Sequence, residues 1–202
     1  MTTGFLRRLM GAARSDEPGA FGRFLGRQAV YVTQKTVVDY CRVKAGLAEA
    51  ELFADRDFLA AMRHCRWQVY FGAISDVAAL AEAWLRPHAG AAAERVAGAI
   101  AALAQEAFDS EPPPEEERDA AREARAAIPR RLSGLLAAPP LPANLMPLAA
   151  QAPLLATLPV HPDQRIGEEQ AIRGALRFHI IAAQQEMERR FDAPRLAARL
   201  AA

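Results

Sequence analysis

The chain has 202 residues, of which 51% are hydrophobic, and its formal net charge is +1. That length supports one good core, or one core with an appendage. The near-zero charge and high apolar content exclude a disordered acidic chain and argue against bulk phosphate binding, so no nucleic-acid partner is expected. Abundant Ala, Leu, Arg and Glu with few β-branched residues predict an all-α fold. The Ala and Arg bias is typical of a GC-rich bacterial genome.

Residues 1–15 are predicted to be a flexible or amphipathic segment ahead of the main domain. They lack the long apolar core and cleavage site of a secretory signal. Their short basic amphipathic pattern is typical of a frayed terminal turn, a membrane-surface helix or an organellar presequence. We expect a cytoplasmic protein, with peripheral attachment to an anionic inner membrane as an open alternative. The predicted membrane-surface residues are Phe5, Arg7, Arg8, Phe21, Arg23, Phe24 and Arg27.

A first long helix is predicted over about 19–45, with acidic residues and a proline at its start and Gly46 as a natural stop. The pair Gly22 and Gly26 permits the close approach of another helix. One helical face is indicated by spacings of three or four residues. Its members are Val30, Gln34, Val37, Cys41 and Ala45.

A second long helix is predicted over about 56–86, capped by Asp55 and broken by Pro87. Its stretch 67–85 is apolar on nearly every side, as expected of a helix that its neighbours surround. The length is marginal for a membrane span, but Asp76 at its centre would be expensive there. We therefore predict that this helix is central and pairs antiparallel with the first across a short turn.

The remaining chain is predicted to complete one domain over 16–202, an antiparallel bundle of five or six helices built on this hairpin. Prolines and charge mark the connections between its later elements. These elements are a helix over about 91–108, an acidic Pro-rich linker at 110–114, a charged helix over 115–128 ended by Pro129, a Pro-punctuated apolar segment at 139–162 with a short helix near 145–157, and a last helix from after Asp163 to about Phe191.

Asp76 is the polar residue that the pattern of the core explains least. It follows Cys65 by eleven residues, which places it only about 20° away on a helical wheel, toward the core. A buried carboxylate must be paired or protonated. The antiparallel register supplies Arg23 or Arg27 as its partner. A salt bridge, a carboxylate facing a ligand cavity and a general acid or base are the three interpretations.

Aromatic and polar residues concentrate around the predicted helical hairpin. Three interpretations are open for these residues. They form part of the core, they line an apolar pocket whose hydroxyl groups bind a ligand, or they form an exposed docking patch. His179, on the apolar stripe of the last helix, is either a hydrogen-bonded core or rim residue, or a catalytic base or ligand. The predicted ligand-binding or partner-binding residues are Tyr31, Gln34, Asp39, Tyr40, Trp67, Tyr70, Asp76 and His179.

The two cysteines, Cys41 and Cys65, set no disulfide framework in a chain of this size. They lie on apolar stripes, where a free cysteine behaves as a small core residue, and with His64 they lack a fourth ligand for zinc. No metal or cofactor is therefore predicted. The chain has no phosphate-binding loop, dinucleotide fingerprint, HExxH, GxSxG or CxxC motif.

These features predict a non-enzymatic adaptor, scaffold or assembly factor that binds another protein or itself. The alternative is a carrier or enzyme for an apolar lipid-like or quinone-like molecule, held between the first two helices and the last. Its polar handles would be Asp76, Tyr31, Tyr70 and His179. A third class is an enzyme with Cys41 or Cys65 as nucleophile.

Overall fold

A computed structural model of the chain describes residues 14–202, apart from the side chain of Pro162. Phe5, Arg7 and Arg8 lie outside the described residues. The predicted all-α bundle is confirmed, since about six helices of useful length pack together. The helices are α1 (Pro18–Thr33), α2 (Asp39–Ala45), α3 (Glu49–Leu52), α4 (Arg56–Ala89), α5 (Ala93–Asp109), α6 (Arg118–Leu135), α7 (Gln151–Thr157), α8 (Glu169–Arg190) and α9 (Ala193–Leu200).

The predicted first helix exists as α1 and α2, joined by a π-helical turn over Gln34–Val38 that the sequence pattern did not predict. It starts where expected, because the Glu17 carboxylate accepts the backbone N–H of Gly19 at 2.8 Å and Pro18 occupies the first turn. It ends at Gly46, whose φ of 53° is accessible mainly to glycine.

The central helix is α4, as predicted. Asp55 caps it by accepting the N–H of Phe58 at 2.7 Å. Every residue from Val69 to Glu82 is buried, which is why the sequence is apolar all round there. Over its 34 residues, about 51 Å at the α-helical rise, α4 packs against α1 and against every helix from α5 to α9.

Two prolines predicted to end helices lie inside them. Pro87 is in the last turn of α4, which continues to Ala89. Pro129 is in the middle of α6, where it removes the N–H that would bond to the Arg125 carbonyl. The side-chain amide of Gln105, on α5, donates to that carbonyl at 3.1 Å. A partner distant in sequence therefore satisfies the carbonyl that the proline leaves free.

The predicted apolar segment 139–162 packs on α4 and carries α7 as its short helix. Its closest approach is at Gly72. A Cβ atom placed on Gly72 would lie 2.4 Å from the Cα of Ala150 and 2.5 Å from its backbone nitrogen. Only glycine therefore allows the segment to lie against α4 at this distance.

The two ends of the described chain meet beside α1. Ser15 donates its N–H to Arg190 at 2.8 Å and accepts that of Asp192 at 2.9 Å. Phe191 then packs edge-on against Phe21 and Phe24, with ring centroids 5.0 and 5.2 Å apart. This closure completes a single cluster of buried apolar residues that runs through the bundle.

Candidate functional site

The structure brings several of the predicted residues together in one open groove, which we call the α1 groove. Its longer part, of about 810 Å³, runs between α1 and α5. An adjoining depression of about 290 Å³ lies over α4 and shares Val30, Tyr70 and Glu111 with it. Six predicted residues line these two parts: Arg23, Arg27, Tyr31, Gln34, Trp67 and Tyr70.

The floor of the groove is set by how closely α1 and α5 pack. A Cβ on Gly22 would lie 3.0 Å from Leu103, and one on Gly26 would lie 3.1 Å from the Cβ of Ala107. The two glycines therefore bring the helices together, as their spacing indicated. The resulting groove follows the face of α1 on which residues recur every three or four positions.

Tyr70 forms part of this floor and is itself buried. Its hydroxyl lies 3.4 Å from the Ala107 carbonyl, to which it donates. Burial, with a smaller contribution from the Glu111 carboxylate, raises the pKa of Tyr70 to about 12. The residue therefore stays neutral at physiological pH and supplies the groove with an apolar ring, while its one hydroxyl proton is donated to the Ala107 carbonyl.

Exposed apolar side chains line the groove at Val30 and Tyr31, and Phe178 of α8 lies near Tyr31 outside that lining. Val30 and Tyr31 are 43% and 40% exposed, and Phe178 is 65% exposed. The His179 ring links the two helices, lying edge-on to Tyr31 at 5.9 Å and to Phe178 at 5.4 Å. Large apolar groups clustered on a surface commonly mark an interaction site.

The walls of the groove carry opposite charges. Glu106 and Glu111 belong to the α5 side, whereas four arginines belong to α1 and α4: Arg23, Arg27, Arg63 and Arg66. Arg23 pairs with Glu17 at 3.5 Å. Within residues 14–202, Arg27, Arg63 and Arg66 have no carboxylate within 4.0 Å. The lining therefore holds three guanidinium groups without a carboxylate partner, on α1 and α4, opposite two carboxylates, Glu106 and Glu111, that likewise have no cation within 4.0 Å among the described residues.

Asp76 does not face this groove. It is fully buried, as predicted, but its partner is Arg131 of α6 at 2.7 Å, so the predicted pairing with Arg23 or Arg27 is wrong. Its two oxygens also accept the N–H groups of Ala149 and Ala150 at 2.7 and 3.0 Å, just before α7. Burial raises the pKa of the Asp76 carboxyl, and the Arg131 charge and these donors oppose that shift.

The Asp76 contacts join three separate parts of the chain. Arg131 donates further to the Ser75 hydroxyl and to the Pro147 carbonyl, each at 2.9 Å. The carboxylate also satisfies backbone donors at the start of α7 that have no partner within that helix. These contacts favour the salt-bridge interpretation, and they leave Asp76 unavailable as a polar handle for a ligand.

Asp39 and Tyr40 also lie outside the groove, at the junction of the π-helical turn and α2. Asp39 pairs with Lys35 at 3.0 Å. Tyr40 donates to the Glu168 carboxylate at 2.6 Å, and Lys44 binds the same carboxylate. Burial and the Glu168 contact raise the pKa of Tyr40 above its ordinary value. Both residues therefore hold local structure together.

Sequence reasoning missed two other buried carboxylates. Glu82 is bound by both nitrogens of the Arg86 fork at 2.6 Å, four residues along α4. Glu117 accepts from Gln68 at 2.8 Å and lies 2.6 Å from His64 Nδ1. The i,i+4 spacing was a usable signal for the Glu82 pair. No local signal connects His64 with Glu117, because they are distant in sequence.

The aromatic residues of the predicted membrane-surface patch that the structure describes are not at the surface. Phe21 and Phe24 are fully buried against Phe191, so their assignment to a surface is wrong, while Arg23 and Arg27 are exposed. The helical pattern of α1 gives two apolar faces, and only packing decides which one is covered. None of the helices in residues 14–202 has the length and hydropathy that crossing a bilayer requires.

The two thiols are buried core residues. Burial raises the pKa of Cys41 to about 12 and that of Cys65 to about 11. A neutral, enclosed thiol is a poor nucleophile. Among the described residues, no group of three or more His, Cys, Asp or Glu side chains is placed to hold a metal ion.

His179 gives a testable pH dependence. Burial and the nearby Lys35 charge lower its pKa, and Asp39 opposes the shift. The pKa of a histidine in the unfolded chain is about 6.5. As pH falls below that pKa, the unfolded chain takes up the proton on His179 before the folded chain does. The free energy of unfolding should therefore fall between that pH and the lower folded-state pKa.

Urea unfolding at about pH 7.5 and about pH 5.5 measures this loss. His179→Gln should lose less stability over that interval than the unsubstituted chain. Equal losses in the two proteins would show that His179 does not carry the effect.

Comparison of the chain with protein-family models, with curated proteins and with solved structures gives no significant match.

Proposed function

We propose that the protein is a non-enzymatic helical adaptor or scaffold that binds another protein through the α1 groove. The observation that supports this most is the composition of the groove. It combines exposed aromatic and aliphatic side chains with unpaired arginines on three packed helices. Tyr, Trp and Arg are the residues that most often anchor protein interfaces.

The alternative of a carrier for an apolar small molecule has less support. Its four predicted polar handles do not converge: Tyr31 and Tyr70 line the α1 groove, but Asp76 is bound to Arg131. The groove is also open along its length, whereas small-molecule sites usually enclose most of their ligand. An elongated open surface is better suited to a segment of another protein.

Site-specific photocrosslinking in cells tests the proposal. A photoreactive phenylalanine analogue placed at Val30 should give a discrete adduct with a protein, identified by mass spectrometry. The matched control places the same analogue at Ala152, an exposed residue of α7, which packs on α4 and α8. Adducts at Ala152 alone, or the same adducts at both positions, would contradict binding through the groove.

A further inference from the structure

We infer that the occupant of the α1 groove is an amphipathic helix whose apolar side is bordered by aspartate or glutamate residues on the flank that faces Arg27, Arg63 and Arg66. This inference rests on the proposed function and gives the chemistry of the partner. It follows from the length, the apolar centre and the unpaired charges of the groove.

The length of the groove suits a helix. Its lining runs from Gly19 of α1 to Gln34, the first residue of the π-helical turn, which is about 22 Å along the axis, or about four helical turns. An amphipathic helix seated in a groove is a recurring mode of recognition, with anchors at every third or fourth residue. A partner helix of about 15 residues would cover this length.

The apolar centre of the groove supplies the contacts for such anchors. Leu103, Ala107 and Tyr70 form the floor, and Val30 and Tyr31 form the exposed border. Covering these groups removes apolar surface from water, the main favourable contribution to helix docking. The occupant must therefore present one continuous apolar stripe.

The unpaired arginines determine which charge the partner should carry beside its apolar stripe. Arg27 belongs to α1, and Arg63 and Arg66 belong to α4, so the cations border the apolar centre from two helices. A guanidinium group binds a carboxylate through two parallel hydrogen bonds, which favours Asp and Glu over neutral residues. A basic flank would instead meet three like charges.

The same charges argue against two other occupants. Residues 1–13 contain Arg7 and Arg8 and no acidic residue, so this segment offers no carboxylate to the unpaired arginines of the groove. An anionic membrane would attract the arginines, but the apolar groups near them line a concave surface. Phe21 and Phe24, which would have reached a bilayer, are buried.

A peptide-display selection tests the inference. The probe is a library of 16-residue amphipathic helical peptides, with the flanking positions varied among Glu, Gln and Lys. Binding to the full chain should enrich Glu at these positions. The double variant Arg63→Glu/Arg66→Glu should reverse the preference toward Lys. For individual peptides, the Glu and Lys forms should differ in affinity by about tenfold, the sum of a few exposed ion pairs.

Arg122→Glu is the control for charge reversal elsewhere, because Arg122 is also exposed but lies on α6, where it pairs with Asp119 at 2.8 Å. It should keep the preference for Glu. All three substituted residues are exposed, and circular dichroism should confirm that each variant folds. Failure to enrich any peptide, or enrichment that does not respond to Arg63→Glu/Arg66→Glu, would overturn the inference.

A vesicle assay and the crosslinking experiment separate the other outcomes. Binding to phosphatidylglycerol vesicles that Arg63→Glu/Arg66→Glu abolishes, without selection of acidic peptides, would overturn the inference in favour of a membrane. A specific adduct at Val30 without a preference for Glu would support the groove as a protein-binding site and contradict only the inference that the partner is an acidic helix. If Val30 gives no specific adduct either, the proposed function itself would be contradicted.

Discussion

Replacing Asp76 by alanine is expected to lower the free energy of unfolding by about 3–5 kcal/mol. The substitution leaves the Arg131 guanidinium without its carboxylate and removes the acceptor for the N–H groups of Ala149 and Ala150. Losing one partner of a buried pair is costly because the other stays desolvated. Urea unfolding followed by circular dichroism measures the change.

Asp109→Ala is the matched control for this prediction. Asp109 binds Arg125 through two contacts of 2.7 Å, but both side chains are about half exposed. The loss should be below about 1 kcal/mol. Comparable losses for Asp76→Ala and Asp109→Ala would show that burial adds nothing to the Asp76 pair.

The double variant Asp76→Ala/Arg131→Ala tests the coupling between the two side chains. It should lose less stability than the sum of the two single variants, because each single variant leaves the other group unpaired. Additive losses would indicate that the backbone contacts of Asp76, and not its ion pair, carry its effect.

The second large effect is expected for Gly72→Ala. A methyl group there would collide with the backbone of Ala150, which has no flexible atoms to move aside. Overpacking of this kind costs about 1–3 kcal/mol or more. The segment before α7 would be pushed from α4, so limited proteolysis within 139–150 should become faster, and thermal unfolding should move to lower temperature.

Gly98→Ala provides the comparison. Gly98 lies in the interior of α5, is exposed, and would place its Cβ in open space. Both substitutions gain the helix propensity of alanine over glycine, about 1 kcal/mol. We expect Gly98→Ala to stabilise the protein and Gly72→Ala to destabilise it. A stabilising Gly72→Ala would mean that the segment can withdraw from α4 without loss.

The architecture was accessible from the sequence because it depends on local signals. The caps at Glu17 and Asp55, the stop at Gly46 and the continuous apolar stretch of α4 each act within a few residues. Periodicity then gave the direction in which a side chain points. For this reason the burial of Asp76 was predicted correctly.

The residues that contact Asp76 could not be predicted from local sequence signals. Arg131 reaches Asp76 from α6, and Gln105, on α5, satisfies the carbonyl freed by Pro129. These pairs join residues far apart in sequence, and only the packing of the helices selects them. The groove was likewise predicted only in part, since Tyr31 and Trp67 were identified but the unpaired Arg63 and Arg66 were not.

The closure of the bundle by Phe191 has a consequence for synthesis of the protein. Phe21 and Phe24 leave the ribosome on the order of ten seconds or more before the residue that covers them. During that time both rings lack the edge-on contact that Phe191 provides, and Trp84 of α4 is the aromatic residue that can pack against Phe21 earlier. The nascent chain is thus more prone to aggregation before Phe191 emerges, and a chaperone that binds apolar helices would protect it during that interval.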